Sequence, residues 1–379
     1  MPAYLDHAAG TTLRAAAAEA LVAGLSAAGN PSSVHRHGQA ARAVLEEARE
    51  RLAAAAGCEP VEVLLTSGGT EAVNLAVLGG WGARRRAGRD VLLLPGGEHA
   101  ATTGAAAAVE ARGGRVVPLP VDAEARLHPA TVGAAAGPDV ALLTVLAANN
   151  EVGTLNDVAA LTAAAGEVPV HVDAIAAFGS VPVDFAGSGA ALMSLSSVKV
   201  GGPAGVGALL ARRDAALDPL LLGGGQERGL RAGTPSAPLA LAFAVAAEEA
   251  VAGLAAEAAR VAALRDRALA GLREVLPGAV LRGAPPGGGR LPGNLHVTVP
   301  GVEGESVLLL LDAAGISVST GSACLAGVTR LSPVLAAMGV PDPEAAGAVR
   351  ITFGHSSAEA DVDALLAALP AVARVASRH

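Results

Sequence analysis

The sequence predicts an α/β fold in which a large domain contains a mostly parallel seven-stranded sheet and a smaller α+β domain follows it. Short apolar runs alternate with Ala-rich helical stretches from about residue 15 to 235, as in parallel sheets that helices cover on both faces. A Gly/Pro-rich loop at residues 282–293 ends this alternation. We therefore expect a large domain over residues 15–250 and a small domain over residues 251–379, which residues 1–14 join.

Seven apolar runs provide the expected strands of the large sheet. In chain order they are "VEVLLT", "DVLLLP", "GRVVPLPV", "DVALLTVLA", "VPVHVD", "ALMSLS" and "VGALLAR". Their length and their separation by helical stretches favour parallel strands. Polar residues that could carry chemistry come directly after several of these runs. Because open α/β sheets bind ligands at the carboxyl ends of their strands, we expect the functional site there.

The second part of the chain has a different pattern. An Ala/Glu/Arg-rich stretch from about residue 238 to 275 predicts a long helix. After the Gly/Pro-rich loop, "NLHVTV", "GISVST" and "AVRITF" predict strands, and helices are expected at about residues 304–314, 331–338 and 357–376. This order of elements predicts the small α+β domain.

Composition and charge narrow the class of protein. A net charge of -8 and a pI near 5.6 provide no general attraction to nucleic acid or to an anionic membrane. Two cysteines, Cys58 and Cys324, are too few for a disulfide framework, and the first residues lack the apolar core of a signal peptide. The histidines of "HRHG" (35–38) have no carboxylate or thiol ligand nearby, so no metal site is expected. We therefore expect a cytoplasmic enzyme.

Lys199, in "SLSSVKVGGPAG", is the only lysine among the 27 basic residues of the chain. Arginine can replace lysine wherever only a positive charge is needed. It cannot form a Schiff base, whereas a lysine amine with a lowered pKa can attack a carbonyl group. We therefore take Lys199 as the first catalytic candidate; the alternative is a surface lysine left by codon bias.

Two further stretches contain residues that could bind a cofactor with Lys199. In "TSGGTEAVN" (66–74) a strand ends and a helix begins, so that the free N–H groups around Gly69 and Thr70 suit a phosphate. An ordinary capped helix is the alternative. Asp173 closes the strand in "HVDAIAA" and could keep a pyridine nitrogen protonated, although a carboxylate at a strand end can also be a simple cap.

Two more stretches add polar groups. His99 begins a helix in "GGEHAAT", and its imidazole could stack on a ring and transfer protons. Asn150 in "AANNEVGT" could hydrogen-bond a cofactor or substrate. An exposed histidine and a turn residue are the alternatives. Lys199, the phosphate-binding helix start, Asp173 and His99 together supply what pyridoxal 5'-phosphate requires.

The chain resembles the class V aminotransferase family of fold-type I pyridoxal-phosphate enzymes, and within it the cysteine desulfurases. The resemblance runs nearly from end to end and is specific in "GGGQERGLRAGT" and "STGSAC". Its other motifs are "YLDHAAGTT", "GNPSSVHRHG", "TSGGTE", "EH", "NNEVGT", "HVDA", "GGPAGVGALL" and "VRITFGH". It implies the fold-type I architecture and conversion of L-cysteine to L-alanine, with the sulfur passed to an acceptor protein.

The resemblance also implies roles for individual residues. Lys199 would hold the cofactor covalently, Asp173 would pair with the ring nitrogen, and His99 would lie over the ring. Asn150 would contact the cofactor and, with Arg350, bind the substrate carboxylate. The residues implied at the phosphate are Gly69, Thr70, Ser196 and, from the neighbouring subunit of a homodimer, Thr234.

Cys324, in "STGSACLAG", would be the nucleophile in this resemblance. A thiolate in a Gly/Ser/Ala loop could reach the site, attack the sulfur of the substrate and become a persulfide. A small buried residue is the alternative. Cys58, in "AAGCEP", has no comparable surroundings and is taken as structural.

Two positions depart from the pattern of the desulfurases. Those enzymes usually have Gln where Ala176 stands, which hydrogen-bonds the phenolic oxygen of the cofactor, and His where Val198 stands, which contacts the phosphate. Neither Ala nor Val can form these bonds. The departures keep two alternatives open: a lyase or a decarboxylating or deaminating enzyme acting on an S-substituted cysteine in secondary metabolism, and a non-catalytic binding protein.

Overall fold

The structure is a computed structural model that describes residues 2–26, 29–321 and 331–376. Its strands in chain order are β1 (Ala3–Tyr4), β2 (Val63–Thr66), β3 (Val91–Pro95), β4 (Arg115–Leu119), β5 (Val140–Leu146), β6 (Val170–Asp173), β7 (Leu192–Ser196), β8 (Gly207–Ala211), β9 (Val280–Leu281), β10 (Asn294–Thr298), β11 (Ile316–Ser317) and β12 (Ala348–Thr352).

The α-helices alternate with these strands through the first two thirds of the chain. They are α1 (Ala15–Leu25), α2 (Arg36–Ala56), α3 (Gly69–Asn74), α4 (Gly80–Arg85), α5 (Ala100–Ala111), α6 (Pro129–Ala135), α7 (Val158–Ala165), α8 (Phe185–Ser188), α9 (Ala237–Ala252), α10 (Leu254–Val275), α11 (Gly304–Ala313), α12 (Pro333–Ala337), α13 (Asp342–Ala345) and α14 (Glu359–Ala376).

A seven-stranded sheet forms the centre of the larger part of the molecule. Its strand order is β2-β8-β7-β6-β5-β3-β4. Strand β8 runs antiparallel to both of its neighbours, and the other neighbouring pairs are parallel. Each of the seven apolar runs in the sequence contains one of these strands, so the prediction of a mostly parallel seven-stranded sheet is confirmed.

Both faces of this sheet are covered, which explains why its strands read as continuous apolar runs. Every residue of β5 and β8 is buried. The Ala-rich helix α9 packs against α1 and α2, where small side chains allow close approach of the helices. Trp81, the only tryptophan, fills the opposite side of the sheet together with leucine and valine side chains.

The two small sheets are formed by strands of the second part of the chain together with β1. Strands β12, β10 and β9 form an antiparallel sheet, and β1 pairs in parallel with β11. A bridge between Asp6 and Thr352 carries the N-terminal segment onto β12. The two-residue strands β1 and β9 were not expected from the sequence, because they are too short to give an alternating pattern.

The large sheet and the small sheets have separate hydrophobic cores. One contains buried residues between Ala17 and Ala250, and another contains Ala3, Leu5 and residues between Val261 and Val372. On this basis we propose that the chain divides as the sequence indicates, into a large domain over residues 15–250 and a small domain formed by the remainder.

The helical stretch expected from residue 238 to 275 is two helices. Helix α9 ends at Gly253, whose N–H still donates to Glu249 O, and α10 begins at the next residue. The two helices meet at an angle of 74°. Glycine at the junction has a more flexible backbone than other residues and so weakens a continuous helix. The chain turns there.

Among the described residues, no single helix has both the length and the apolar composition to cross a membrane, while the bent pair α9 and α10 passes this test by length and composition only.

Candidate active site

Lys199 lies just after β7, in a short 3-10 turn formed by Ser197–Lys199. Its Nζ donates to Ala8 O at 2.5 Å and to Ala9 O at 2.7 Å. Burial, and then the charge of Arg350, lower the pKa of the amine from 10.5 to about 8. A larger fraction of Lys199 is therefore neutral near neutral pH than for an ordinary lysine, as attack on a carbonyl requires.

Asp173 closes β6, the strand next to β7 in the sheet. Its carboxylate is 2% exposed and accepts a hydrogen bond from Ile175 N at 3.0 Å. Burial raises its pKa to about 6, against the bond from Ile175 and the charge of Lys199, which lower it. A buried carboxylate with so few donors has capacity for one more cationic partner.

Glu98 is a second buried carboxyl group beside Asp173, and sequence reasoning assigned it no role. It is 5% exposed, and its Oε1 accepts from Leu146 N at 2.9 Å. Burial, followed by the charge of Asp173, raises its pKa to about 8. Its Oε2 has no hydrogen-bond partner among the described residues. The signal in the sequence was its position directly before His99.

His99 caps the N-terminus of α5. Its Nδ1 accepts from Ala101 N at 3.1 Å. Burial and then the charge of Lys199 lower the pKa of the imidazole, so the ring is neutral and the proton lies on Nε2. The effect of Lys199 on both His99 and Asp173 places the three groups in one electrostatic environment.

Gly69 and Thr70, which are expected at the phosphate, begin α3, and Ser196 ends β7. A Cβ placed on Gly69 would lie 2.4 Å from Ile175 Cδ1 and 3.1 Å from Ser196 Cβ, so only glycine lets the helix start approach β7 this closely. Ser196 is buried and Thr70 is exposed. The structure therefore brings Gly69 and Ser196 together. Thr234 is exposed on the loop before α9.

Asn150 and Arg350 are joined directly. Arg350 Nη1 donates to Asn150 O at 3.1 Å, and Nη2 contacts Asp6 Oδ1 at 2.9 Å. Asn150 Oδ1 and Arg350 Nε are buried and have no partner within the described part of the chain. An amide oxygen and a guanidinium N–H are thus left available to a ligand.

The residues around the Lys199 amine come mainly from the N-terminal segment. In the sequence, only the motif "YLDHAAGTT" connects this segment with the site. Ala8 and Ala9 provide the two carbonyl groups, and Asp6 provides the partner of Arg350. Next to them, His7 is buried between Thr11 Oγ1 and Ser357 Oγ. The residues that form these contacts are far apart in the sequence, so local sequence patterns do not predict the contacts.

The two positions that depart from the desulfurase pattern have apolar side chains in the structure as well as different surroundings. Ala176 is half-buried and lines a cavity of about 100 Å³ together with Lys199 and Asn150. Val198 is half-buried, and its carbonyl accepts from Thr11 N at 2.9 Å. Neither side chain can form a hydrogen bond. The expected nucleophile, Cys324, lies outside the described residues, whereas Cys58 is half-buried and burial raises the pKa of its thiol to about 12.

The donor set fits pyridoxal phosphate. An amine with a lowered pKa, a buried carboxylate without a cationic partner and a glycine-lined helix start are the groups that an aldehyde, a ring nitrogen and a phosphate need. The unpartnered Asn150 Oδ1 and Arg350 Nε provide further polar contacts beside them.

Comparison with known proteins agrees with the family resemblance that the sequence motifs indicate. Residues 3–365 match the model of the aminotransferase class-V family. The IscS-like cysteine desulfurase of Mycobacterium tuberculosis is 47% identical over 98% of this chain and 96% of its own length. The cysteine desulfurase NifS of Azotobacter vinelandii is 37% identical over 91% of this chain and 85% of its own length.

Solved structures agree at the level of the fold. A NifS-like protein superposes with a TM-score of 0.91 at 32% identity and covers 99% of this chain and 100% of its own. A structure described as SspA in complex with cysteine superposes with a TM-score of 0.80 at 29% identity, covering 93% of this chain and 98% of its own. The chain therefore belongs to the class-V aminotransferase family and, within it, to the cysteine desulfurases.

Proposed function

We propose that this chain is a pyridoxal-phosphate-dependent cysteine desulfurase that converts L-cysteine to L-alanine and leaves the sulfur as a persulfide on Cys324. The observation that carries the proposal is Lys199. The only lysine of the chain is half-buried and its pKa is lowered to about 8, and it lies among a carboxylate, an imidazole and a glycine-lined helix start.

The proposed cofactor contacts follow from this arrangement. Lys199 holds the aldehyde carbon, and Asp173 holds the ring nitrogen in its protonated form. Bound in this way, pyridoxal phosphate withdraws electrons from the substrate and makes its Cα proton easier to remove. The phosphate lies against Gly69, Thr70 and Ser196. Asn150 Oδ1 and Arg350 Nε, which are buried without described partners, provide polar contacts to the cofactor and to the substrate carboxylate.

Proton transfer in this proposal uses two groups of the chain. The neutral, unbound Lys199 amine accepts the Cα proton of the substrate. Its lowered pKa increases the fraction of the amine that is neutral. His99 stays neutral because it is buried near that amine. It therefore adds no second positive charge beside the ring nitrogen of the cofactor. Arg350 holds the carboxylate and so orients Cα toward Lys199.

The sulfur is transferred to Cys324. Its thiolate attacks the sulfur of the substrate, an S–S bond forms, and the C–S bond breaks with its electron pair left on carbon, which takes up a proton. L-Cysteine and one thiol thus become L-alanine and one persulfide, with atoms and charge balanced. The persulfide then passes its sulfur to an acceptor protein or to an added reductant.

Product analysis tests this function. The cofactor-loaded enzyme is given L-cysteine and a reductant, and alanine, pyruvate and sulfide are quantified. Equal amounts of alanine and sulfide, both lost in Cys324→Ser, are expected. Pyruvate as the main product, or unchanged turnover in Cys324→Ser, would contradict a persulfide mechanism.

A second candidate is a lyase or a decarboxylating or deaminating enzyme acting on an S-substituted cysteine. The observation that favours it is the absence of a hydrogen-bonding side chain at Ala176, which lines the cavity beside Lys199. The same product assay with an S-alkyl cysteine distinguishes the two, since a desulfurase needs a free sulfur for attack by Cys324.

We also propose that the enzyme is a homodimer in which Thr234 reaches the phosphate of the partner subunit. Thr234 ends a loop that contains Leu222, which is 82% exposed, and Leu221, which is 47% exposed. Exposed leucines in one loop are typical of a surface that another protein covers. Light scattering of the purified protein tests the dimer, and Leu222→Asp should dissociate it.

A further inference from the structure

Glu71 and Arg231 form an ion pair beside the phosphate turn, residues 66–70, where the phosphate of the cofactor is expected. Arg231 Nε donates to Glu71 Oε1 at 2.7 Å, and Nη2 donates to Glu71 Oε2 at 3.2 Å. Both side chains are 18% exposed, so the pair is largely shielded from water. Two parallel hydrogen bonds between a guanidinium and a carboxylate fix their relative orientation. The placement of the Glu71 carboxylate is therefore determined by a residue 160 positions further along the chain.

The Glu71 carboxylate also holds the phosphate turn. Its Oε2 accepts from Ser67 N at 2.7 Å. Ser67 precedes Gly68, the N-cap of α3, and Glu71 is the third residue of that helix. A glutamate at the third position of a helix can reach back to an N–H group at the helix start, as in a capping box. The carboxylate thus ties the turn to the first residues of α3.

The N–H groups that follow in the turn are those proposed to contact the phosphate. The helical ladder begins with the bond from Ala72 N to Gly68 O, so the N–H groups of Gly69 and Thr70 come before it. Helix α3 continues through a π-helical turn into α4, and the helical backbone therefore runs from Gly69 to Arg85. A change in the turn would move the N–H groups that face the phosphate.

Arg231 belongs to a loop that is attached to the large sheet at a second point. Among residues 221–236, all of which the structure describes, only Glu227 is buried. Its Oε2 accepts from Leu65 N at 2.7 Å, and its carboxylate pairs with Arg49. Leu65 lies in β2, the strand that leads into the phosphate turn. The loop is thus fixed to β2 before the turn and, through Arg231, to α3 after it.

The charge of Glu71 has to be compensated if a phosphate is to bind next to it. Burial raises the pKa of the Glu71 carboxyl, but the hydrogen bonds from Arg231 and Ser67 N together outweigh burial and hold the pKa below its ordinary value. The group is therefore ionised at neutral pH. An uncompensated carboxylate here would repel a phosphate and compete with it for the positive end of the helix. The Arg231 guanidinium compensates this charge while the carboxylate keeps its bond to the backbone.

We propose that Arg231 is a positioning residue for the phosphate of the cofactor and acts through Glu71. It orients the carboxylate that holds the phosphate turn, and it neutralises the charge that would otherwise repel the phosphate. The inference rests on the proposed function, because it requires pyridoxal phosphate to lie against Gly69 and Thr70, but it does not depend on the product of the reaction. Removal of the arginine and removal of the carboxylate should therefore have unequal effects.

The first test is the Kd for pyridoxal phosphate, measured by titration of the apoenzyme. Arg231→Gln leaves the carboxylate without a cation, so the Kd should rise about 10-fold, a repulsion between the values for neighbouring charges in water and inside a protein. Glu71→Gln keeps an oxygen that can accept from Ser67 N, so the Kd should stay within about twofold of the parent or fall. The double variant should regain most of the affinity lost in Arg231→Gln. Arg115→Gln, which removes an ion pair with Asp139 at an exposed site, is the matched control.

The second test uses pyridoxal, which has the ring and the aldehyde of the cofactor without its phosphate. Its affinity should stay within about twofold of the parent in Arg231→Gln, because it carries no phosphate charge to be repelled. An ion pair with a merely structural role would affect both ligands alike. Thr234, three residues after Arg231, is proposed to reach the phosphate of the partner subunit. The effect of Arg231→Gln should persist in Thr234→Ala, since it is exerted through Glu71.

An unchanged Kd for pyridoxal phosphate in Arg231→Gln overturns the inference, and so does an equal loss of affinity for pyridoxal. A loss in Glu71→Gln as large as that in Arg231→Gln, or an effect that disappears in Thr234→Ala, also contradicts it. If Arg231→Gln does not fold, the double variant decides: an affinity close to that of the parent is expected, and a 10-fold loss overturns the inference. The proposed function fails separately, in the product assay with L-cysteine, because these affinities do not depend on Cys324.

Discussion

Arg350 Nη2 lies 2.9 Å from Asp6 Oδ1, and this ion pair fixes strand β12 to the N-terminal segment whose carbonyls receive the Lys199 amine. The two partners act on Lys199 in opposite directions. The charge of Arg350 lowers the pKa of the amine, and the charge of Asp6 raises it. The ion pair thus adjusts the fraction of neutral amine, in addition to the larger effect of burial.

Asp6→Asn should lower the pKa of Lys199 below its value of about 8, because the raising effect of the Asp6 charge is lost while burial and the charge of Arg350 still lower the pKa. The rate at which the apoenzyme binds pyridoxal phosphate covalently should rise with pH through that pKa, since the neutral amine is the nucleophile. We therefore expect the midpoint of the rate–pH profile to move to lower pH in Asp6→Asn. Asp312→Asn, a similar change on the surface of α11, should leave the midpoint in place, and a shift to higher pH in Asp6→Asn would contradict the assignment.

Asp173→Asn should stabilise the apoenzyme at alkaline pH while it weakens cofactor binding. The pKa of Asp173 is raised from 3.8 to about 6, so between these values the folded protein binds more protons at this group than the unfolded chain does. The stability that depends on this group therefore falls as the pH rises through that window and remains lower above it. Removing the charge should recover up to roughly 3 kcal/mol of the free energy of unfolding at pH 8.

Urea unfolding of the apoenzyme at pH 4 and pH 8 measures this effect. The parent and Asp173→Asn should be similar at the lower pH and differ at the higher one. If Asp173→Asn is less stable than the parent at pH 8, the ionised Asp173 carboxylate is stabilised by more than its observed hydrogen bond and charges, and the prediction is wrong.

Ala176→Gln tests the departure that lies beside the cavity. A glutamine here can donate to the phenolic oxygen of the proposed cofactor, and a hydrogen bond to an ionised oxygen favours its ionised form. The midpoint of the pH titration of the cofactor absorbance should move to lower pH by about 0.4 to 1 unit, which corresponds to about 0.5 to 1.5 kcal/mol for one hydrogen bond. Ala176→Leu adds volume without a donor, so an equal shift in both variants would exclude hydrogen bonding as the cause.

Gly69→Ala tests the close approach at the start of α3. The added methyl group would collide with Ile175 Cδ1, which is the end of a flexible side chain, and crowd Ser196 Cβ. We expect cofactor affinity to fall about tenfold or more, because overpacking of a well-packed site costs about 1 to 3 kcal/mol. The double variant Gly69→Ala/Ile175→Val lacks the colliding methyl group and should regain part of the affinity, as fluorescence titration with the cofactor can measure. If the double variant regains no cofactor affinity, the loss of affinity comes from a shift of the backbone and not from the contact with Ile175.

The seven strands and the residues at their ends could be predicted because the information is local. Asp173 ends its strand, Lys199 and His99 follow theirs within a few residues, and the topology of a parallel sheet brings such positions to one edge. The division of one expected helix at Gly253 was missed, since an isolated glycine in an Ala-rich stretch does not by itself predict a bend.

The supporting residues could not be predicted in the same way. Glu98 depends on a bond to Leu146 and Asp6 on a pair with Arg350, contacts between residues that are 48 and 344 positions apart. Their residue types are common at strand ends and turns.

The pairing of the N-terminal segment with β12 has a consequence for the order of events during synthesis. Ala8 N donates to Thr352 Oγ1, and Thr352 N donates to Leu5 O, so the segment that receives the Lys199 amine is held by a strand that is synthesised after every strand of the large sheet. The large sheet, by contrast, contains only residues between Val63 and Ala211. Because contacts of large sequence separation form slowly, the pocket is completed after the sheet, and a ribosome-bound chain that ends before β12 has its lysine but no finished place for the cofactor.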